Sequence, residues 1–395
     1  MKRIYLDYAA TTPADPRVID EMLPFFTEHF GNPSSVHSFG QETKSAVEAA
    51  RETVSGLLGA APDEIVFVSG ATEANNTALK GTAFAKRDKG NHIITSAIEH
   101  HSVSETVAAL KKEGFRITNL PVDRYGMVDP DDVKKAIDEK TILISIMHAN
   151  NEIGTIQPIA EIGKIARERS ITFHTDAVQS LGHIPVNVDD LDVDLLSGSS
   201  HKFYGPKGVG FLYVRKGTKL TALLFGGDQE KRRRAGTHNT PGIVGTAAAA
   251  RIAHESMAEE SVREAVLRDR LIKGITGAVQ DASLNGHPTM RLPNNANISF
   301  HFIEGESILL SLDMEGIAAS SGSACTSSTL EPSHVLLAIG LSHEVAHGSI
   351  RFSLGRWTTD EDVARVIEVL PGIVSRLRVM SPLFAERTSH GIVQR

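Results

Sequence analysis

Ile171-Thr172-Phe173-His174-Thr175-Asp176-Ala177-Val178-Gln179 is the stretch on which the fold turns. Its first four residues form a short β-branched and aromatic run that reads as a strand, and a carboxylate, Asp176, follows just past it. Open α/β sheets place their ligand-facing groups at this position, beyond the C-terminal ends of the strands. The same pattern recurs on both sides. Ile65 to Val68, His92 to Thr95, Phe115 to Ile117, Ile142 to Ile146 and Val193 to Leu196 are similar short runs, with helical patterns between most of them. From Phe39 to Leu58, apolar residues at Ala46, Val47, Ala50, Val54, Leu57 and Leu58 make one helical stripe, with Gly59 as its C-cap. Gly210 to Val214 is a further strand, reached through the short turn Gly205-Pro206-Lys207-Gly208 and therefore read as antiparallel. The alternation predicts an α/β fold with a mostly parallel sheet of seven strands covered by helices.

After about Glu255 the rhythm changes to a charged helix, the strand Asn297 to Phe300, a helix from Glu306 and a closing helix around Val363 to Leu377. The expected organisation is a large α/β domain over residues 15–257, and a smaller α+β domain made of residues 1–14 and 258–395. The chain has 395 residues and a formal charge of −7, from 41 Lys and Arg against 48 Asp and Glu, a balance that argues against general nucleic-acid binding. No apolar run approaches the ~18 residues of a membrane-spanning helix, and Asp7 interrupts the region where a signal peptide needs its apolar core. A cytoplasmic location is expected. The single cysteine, Cys325, has no disulfide partner within the chain and no second thiolate for a metal site, and no metal is expected.

Four segments carry candidate chemistry. Ser69-Gly70-Ala71-Thr72-Glu73 turns from a strand into a helix, which offers backbone N–H groups and a hydroxyl to a phosphate or serves as an ordinary cap. Asp176 suits a metal, a ribose hydroxyl or a protonated ring nitrogen, and equally a cap. Lys202, in Ser197-Gly198-Ser199-Ser200-His201-Lys202, is a candidate Schiff-base lysine, with Ser199 and His201 able to add donors to the site of Thr72. Ser320-Ser321-Gly322-Ser323-Ala324-Cys325-Thr326-Ser327-Ser328 is too small and polar to pack a core and reads as a mobile loop presenting a thiol. Glu99-His100-His101 follows a strand closely enough for one imidazole to reach the same crevice. Arg351 lies in an alternating run from which its guanidinium can hold a carboxylate.

A phosphate cradle, an Asp, a Schiff-base Lys and a His able to stack on a ring are the parts a pyridoxal phosphate enzyme needs. Tyr5-Leu6-Asp7-Tyr8-Ala9-Ala10-Thr11-Thr12, Gly31-Asn32-Pro33-Ser34-Ser35, Ser69 to Glu73, His148-Ala149-Asn150-Asn151-Glu152-Ile153-Gly154-Thr155, His174 to Gln179, His201-Lys202 and Ser320 to Ser327 occur in this order. With them the chain resembles the NifS/IscS-type cysteine desulfurases, in the class V aminotransferase group of fold type I pyridoxal phosphate enzymes, from Tyr5 to about Pro382. The resemblance implies pyridoxal 5'-phosphate as cofactor, with Lys202 as its Schiff-base lysine, Asp176 on the pyridine nitrogen and His100 stacked on the ring. Gln179 would approach the ring hydroxyl, and Asn151 would lie close to cofactor and substrate. Ala71, Thr72, Ser199, Ser200 and His201 would cup the phosphate, and Thr237 would reach the phosphate of the partner subunit in a homodimer. Arg351 would bind the substrate carboxylate, and Cys325 would carry a persulfide.

The resemblance further implies conversion of L-cysteine to L-alanine. Sulfur would pass through Cys325 to an iron–sulfur scaffold protein of the NifU/IscU kind, and the alternative is a selenocysteine lyase or an aminotransferase on the same frame. One departure stands out. The family segment Gly-Gly-x-Gln-Glu is present as Gly226 to Glu230, but the very basic Lys231-Arg232-Arg233-Arg234 follows it and changes the local charge near the partner's phosphate.

Overall fold

The computed structural model describes residues 3–321, 331–382 and 384. Its strands, in chain order, are β1 (Ile4–Tyr5), β2 (Ile65–Val68), β3 (His92–Ser96), β4 (Arg116–Leu120), β5 (Thr141–Ser145), β6 (Thr172–Asp176), β7 (Leu195–Ser199), β8 (Gly210–Val214), β9 (Ala282–Asn285), β10 (Asn295–Phe300), β11 (Ile317–Ala318) and β12 (Ser349–Ser353). Seven of them form one sheet in the order β2-β8-β7-β6-β5-β3-β4, in which β8 runs antiparallel to both neighbours and the remaining pairs are parallel. Every residue of β3, β5, β6 and β7 is buried, because helices cover both faces. The edge strand β4 exposes Arg116 and Asn119, polar residues that blunt an unpaired edge. The chain order reverses between β3 and β5, whose shared C-terminal end is the place where an open sheet of this kind leaves a crevice.

Several strand boundaries shift from the sequence expectation, and one shift matters. β6 extends through Asp176, so the carboxylate sits on the last strand residue, held in register by pairing of Asp176 with Ser197 of β7. A strand position is a stiffer mount than a loop, which suits a group that must point in one direction.

The remaining strands form a three-stranded antiparallel sheet, β12-β10-β9, and a parallel pair, β1 with β11. Their core is built from Ile4, Leu6, Ile298, Phe300, Ile350 and Phe352 with the helices Gly305–Met314 and Asp360–Met380, separate from the cores on the two faces of the large sheet. One helix, Thr240–Ala278, serves both: Ile243 to Ala253 packs into the large core, and Leu267, Leu271 and Ile275 pack into the small one. Among the described residues no helix is long and apolar enough to cross a membrane.

Glu230, Lys231 and Arg232 are consecutive non-glycine residues at φ values of 46°, 56° and 66°, a left-handed stretch that side chains disfavour. A buried ion pair holds it. The Glu230 carboxylate accepts from both Arg51 Nη atoms at 2.8 Å, from the Phe67 N–H at 2.9 Å and from His238 Nε2 at 2.8 Å. Burial raises its pKa, but the guanidinium and these donors outweigh burial and hold it at about 2. Glu230→Ala leaves Arg51 with only the half-exposed Glu48 as counter-charge. It is expected to cost about 3–5 kcal/mol in denaturant unfolding at neutral pH. Because the folded pKa is depressed, the contribution is present above the ordinary carboxyl value of 4.5 and is lost as pH falls toward about 2, so the gap between the two proteins narrows on acidification.

Candidate active site

A cavity of about 680 Å³ opens at the C-terminal ends of β3, β5, β6 and β7. The N-terminal segment Ala9–Thr11 and Arg351 of β12 close it from the small-domain side. The structure brings Ala71, Thr72, His100, Asn151, Asp176, Gln179, Ser199, His201, Lys202 and Arg351 to this one cavity. Ser200 and Thr237 do not line it. Ser200 is fully buried, and its Oγ packs so closely under Gly205 that a Cβ there would fall 1.8 Å from it. Thr237 lies beyond the wall formed by Ser69 and Gly208, in a separate recess. Cys325 lies outside the described residues.

Each group is placed by a local cause. Gly70 adopts φ 153° and ψ −178°, which admits the abrupt turn from β2 into the helix Ala71–Ala85 and leaves that helix's first N–H groups facing the cavity. His100 is the N-cap of the helix His101–Lys112, and its Nδ1 accepts from the Ser102 N–H at 3.1 Å. Asn150 builds the turn that presents Asn151: its Oδ1 accepts from the N–H groups of Glu152 and Ile153, and its Nδ2 donates to the Ile98 carbonyl. Lys202 closes a single 3-10 turn after β7 and donates to the Ala10 carbonyl at 2.7 Å.

A polar chain runs across the floor. Asn75 Nδ2 donates to Asp176 Oδ2 at 2.7 Å and to Ser102 Oγ at 2.8 Å, and Ser102 Oγ meets His100 Nδ1 at 2.8 Å. Asp176 Oδ1 accepts from the Val178 N–H, so both carboxylate oxygens face donors. Burial lowers the pKa of His100, and burial followed by the charges of Lys202 and Lys207 holds His201 at about 4, so both imidazoles are neutral near pH 7. Gln179 Nε2 donates to the Ala9 carbonyl at 2.9 Å. Arg351 is buried, with Nη1 on the Asn151 carbonyl and Nη2 on Asp7 Oδ1, both at 2.9 Å, while its Nε is buried with no partner among the described residues.

Sequence reasoning missed several of these groups. Asn75 sits inside a helix with no motif to mark it, four residues after Ala71, where only the i+4 spacing from the cradle turn puts it on the same face. Glu99 and Glu152 are buried acids, raised by desolvation to about 8 and about 7. Glu99 accepts from Ser96 Oγ at 2.6 Å and from the Met147 N–H at 2.9 Å, and Glu152 accepts from Ser333 Oγ.

Residues 4–366 match the model of the family described as Aminotransferase class-V. The chain is 60% identical over 383 residues to a protein of Dictyoglomus turgidum named Cysteine desulfurase IscS, covering 97% of both chains. The chain belongs to the class-V aminotransferases, in their NifS/IscS-type cysteine desulfurase branch. A solved NifS-like protein superposes with a TM-score of 0.90 at 40% identity, covering 95% of this chain and all of the other. A second structure, titled SspA in complex with cysteine, gives 0.81 at 39% identity, covering 91% of this chain and all of the other.

Class-V desulfurases depend on pyridoxal 5'-phosphate, and the donor set fits that group. A helix N-terminus with hydroxyls, a carboxylate with both oxygens held, an amine, an imidazole and a buried guanidinium whose Nε has no partner among the described residues all line the cavity. Asn75→Ala would leave Asp176 Oδ2 and Ser102 without their shared donor. Removing a hydrogen bond to this carboxyl group is expected to weaken cofactor affinity roughly tenfold, read by absorbance titration of the apoprotein, and, because Asn75 and Asp176 are both buried, to lower the unfolding midpoint as well.

Proposed function

We propose that this class-V enzyme desulfurates L-cysteine, releasing L-alanine and passing the sulfur to Cys325. The cofactor supplies the means to withdraw electrons from the substrate's Cα. The chain's own residues do the rest. Lys202 would hold the cofactor and would move the proton at the substrate's Cα. Asp176, oriented by Asn75 and the Val178 N–H, would hold the ring nitrogen. His100, neutral and fixed by Ser102, stacks on the ring and exchanges a proton with the substrate thiol. Gln179 reaches the ring hydroxyl, and Ala71, Thr72, Ser199 and His201 bind the phosphate. Ser200 enters that cup only as a buried support.

Arg351 fixes the substrate carboxylate, and Asn151 packs beside it. The Cys325 thiolate then bonds to the substrate sulfur as the carbon–sulfur bond breaks. The electron pair remains with carbon, which takes up protons to become alanine. A persulfide on a chain with one cysteine must be cleared by another molecule. The reading therefore includes a homodimer in which Thr237 completes the neighbour's phosphate site, an iron–sulfur scaffold protein as sulfur acceptor, and a cytoplasmic location. It also includes a cofactor domain of residues 15–257 beside a smaller domain of residues 1–14 and 258–395, supported by their separate cores. The observation that carries the reading is the convergence of Lys202, the His100–Ser102–Asn75–Asp176 chain and Arg351 on one cavity.

Anaerobic incubation with L-cysteine, measuring alanine and sulfide with and without a scaffold protein, tests it. Borohydride reduction and peptide mapping are expected to place the cofactor on Lys202, and Lys202→Ala to abolish alanine formation; label on another lysine would overturn the assignment. Arg351→Ala is expected to weaken L-cysteine binding by about 2–5 kcal/mol while sparing cofactor affinity. Cys325→Ser is expected to bind cofactor and L-cysteine yet release no alanine, because an alcohol is a far poorer nucleophile toward sulfur than a thiolate. Wild-type alanine output from that variant would sink the mechanism.

A further inference from the structure

A phosphate monoester carries between one and two negative charges near neutral pH, and an anion in a partly desolvated cavity needs a compensating cation. Among the described residues of one chain, those assigned to the cup supply none. Its donors are the N–H groups at the start of the helix Ala71–Ala85, the hydroxyls of Thr72 and Ser199, and His201, which burial and nearby lysines hold neutral. Glu73 adds a negative charge in the same helical turn, and Arg234 is spent on it at 2.9 Å. Apart from histidines, three cationic side chains line the cavity among the described residues: Lys202, Lys207 and Arg351. Lys202 is committed to the Schiff base, and Arg351 is held by Asp7 and Asn151.

Lys207 is at the right end. Its Nζ donates to the Thr12 carbonyl at 3.3 Å; the Thr12 N–H in turn donates to the His201 carbonyl at 3.0 Å, and Thr11 Oγ1 meets His201 Nδ1 at 3.1 Å. Its backbone is a rigid mount. Gly208 follows at φ 77°, and β8 then passes so close to the cradle that a Cβ on Gly210 would lie 2.9 Å from the Gly70 Cα. The ammonium has three donors on a flexible stem, and its hydrogen bond to Thr12 leaves others to turn toward an anion at Gly70–Thr72.

We propose that Lys207 is the cationic member of the phosphate site and the residue that makes the cavity prefer the phosphorylated cofactor over unphosphorylated pyridoxal. This rests on the cofactor reading and extends it to a residue outside the cup. Lys207 neutralises the phosphate and draws the anion to the cavity mouth, while Lys202 and Asp176 act on the ring that both vitamers share.

The test is binding to apoprotein stripped from the holoenzyme, with pyridoxal 5'-phosphate and pyridoxal titrated separately by absorbance. Lys207→Met is expected to raise the dissociation constant for pyridoxal 5'-phosphate roughly tenfold and to leave that for pyridoxal unchanged. Lys207→Arg, which keeps the charge, is expected to stay near the wild type. The wild-type affinity for the phosphorylated form should also fall more steeply with added salt than that of Lys207→Met. Equal weakening of both vitamers would assign Lys207 a structural part and overturn the proposal, as would unchanged affinity for both. Failure of the wild-type apoprotein to bind either vitamer would instead strike at the cofactor reading from which the proposal starts.

Discussion

The guanidinium of Arg351 is the joint at which the separately built parts of this protein meet the cavity. It is nearly inaccessible to solvent, and a buried cation must be paired and hydrogen-bonded to be tolerated at all. Its partners come from two distant stretches. Asp7 belongs to the N-terminal segment that includes β1, and Asn151 belongs to the turn after β5. The Arg351 main chain adds a third link, its N–H and C=O exchanging two hydrogen bonds with Ser320 at the edge of the Cys325 segment. Arg351 as a whole therefore ties the N-terminal segment, the large sheet and Ser320 to one another. It also leaves Nε buried with no partner among the described residues, on a side chain that lines the cavity.

The strands were legible because both faces of a parallel sheet are covered. A residue pattern that must be apolar on two sides produces runs such as Ile142 to Ile146 that little else in a chain resembles. Asp176, Lys202 and Thr72 were legible because they lie at or just beyond the C-terminal ends of strands, where an open sheet keeps its chemistry. Asn75 was not, since an amide inside a helix carries no local signal and becomes meaningful only when Asp176, 101 positions away, comes to lie 2.7 Å from it. Glu99 and Glu152 were hidden for a related reason: glutamate is ordinarily a surface residue, and only tertiary burial makes these two exceptions. The division into domains is hard to read because no linker marks it. The chain passes from one core to the other inside the continuous helix Thr240–Ala278, whose two halves have different partners and one unbroken helical pattern.

The electrostatics of the cavity follow from burial more than from ion pairing. Desolvation pushes imidazoles toward neutrality and carboxyls toward protonation, so His100, His201 and Glu99 carry no charge near neutral pH. Against this quiet background the few groups that remain charged have strong local effect, because little solvent or competing charge screens them. Both oxygens of Asp176 are held by donors, the Asn75 amide on Oδ2 and the Val178 N–H on Oδ1, which fixes the direction in which the carboxyl group faces.

The described ends of the Cys325 segment are each bonded to the cavity wall. Ser320 is held by Arg351; on the far side Ser333 Oγ donates to Glu152, and His334 Nε2 lies 3.0 Å from the Glu99 carbonyl while its ring packs 4.9 Å from that of His101.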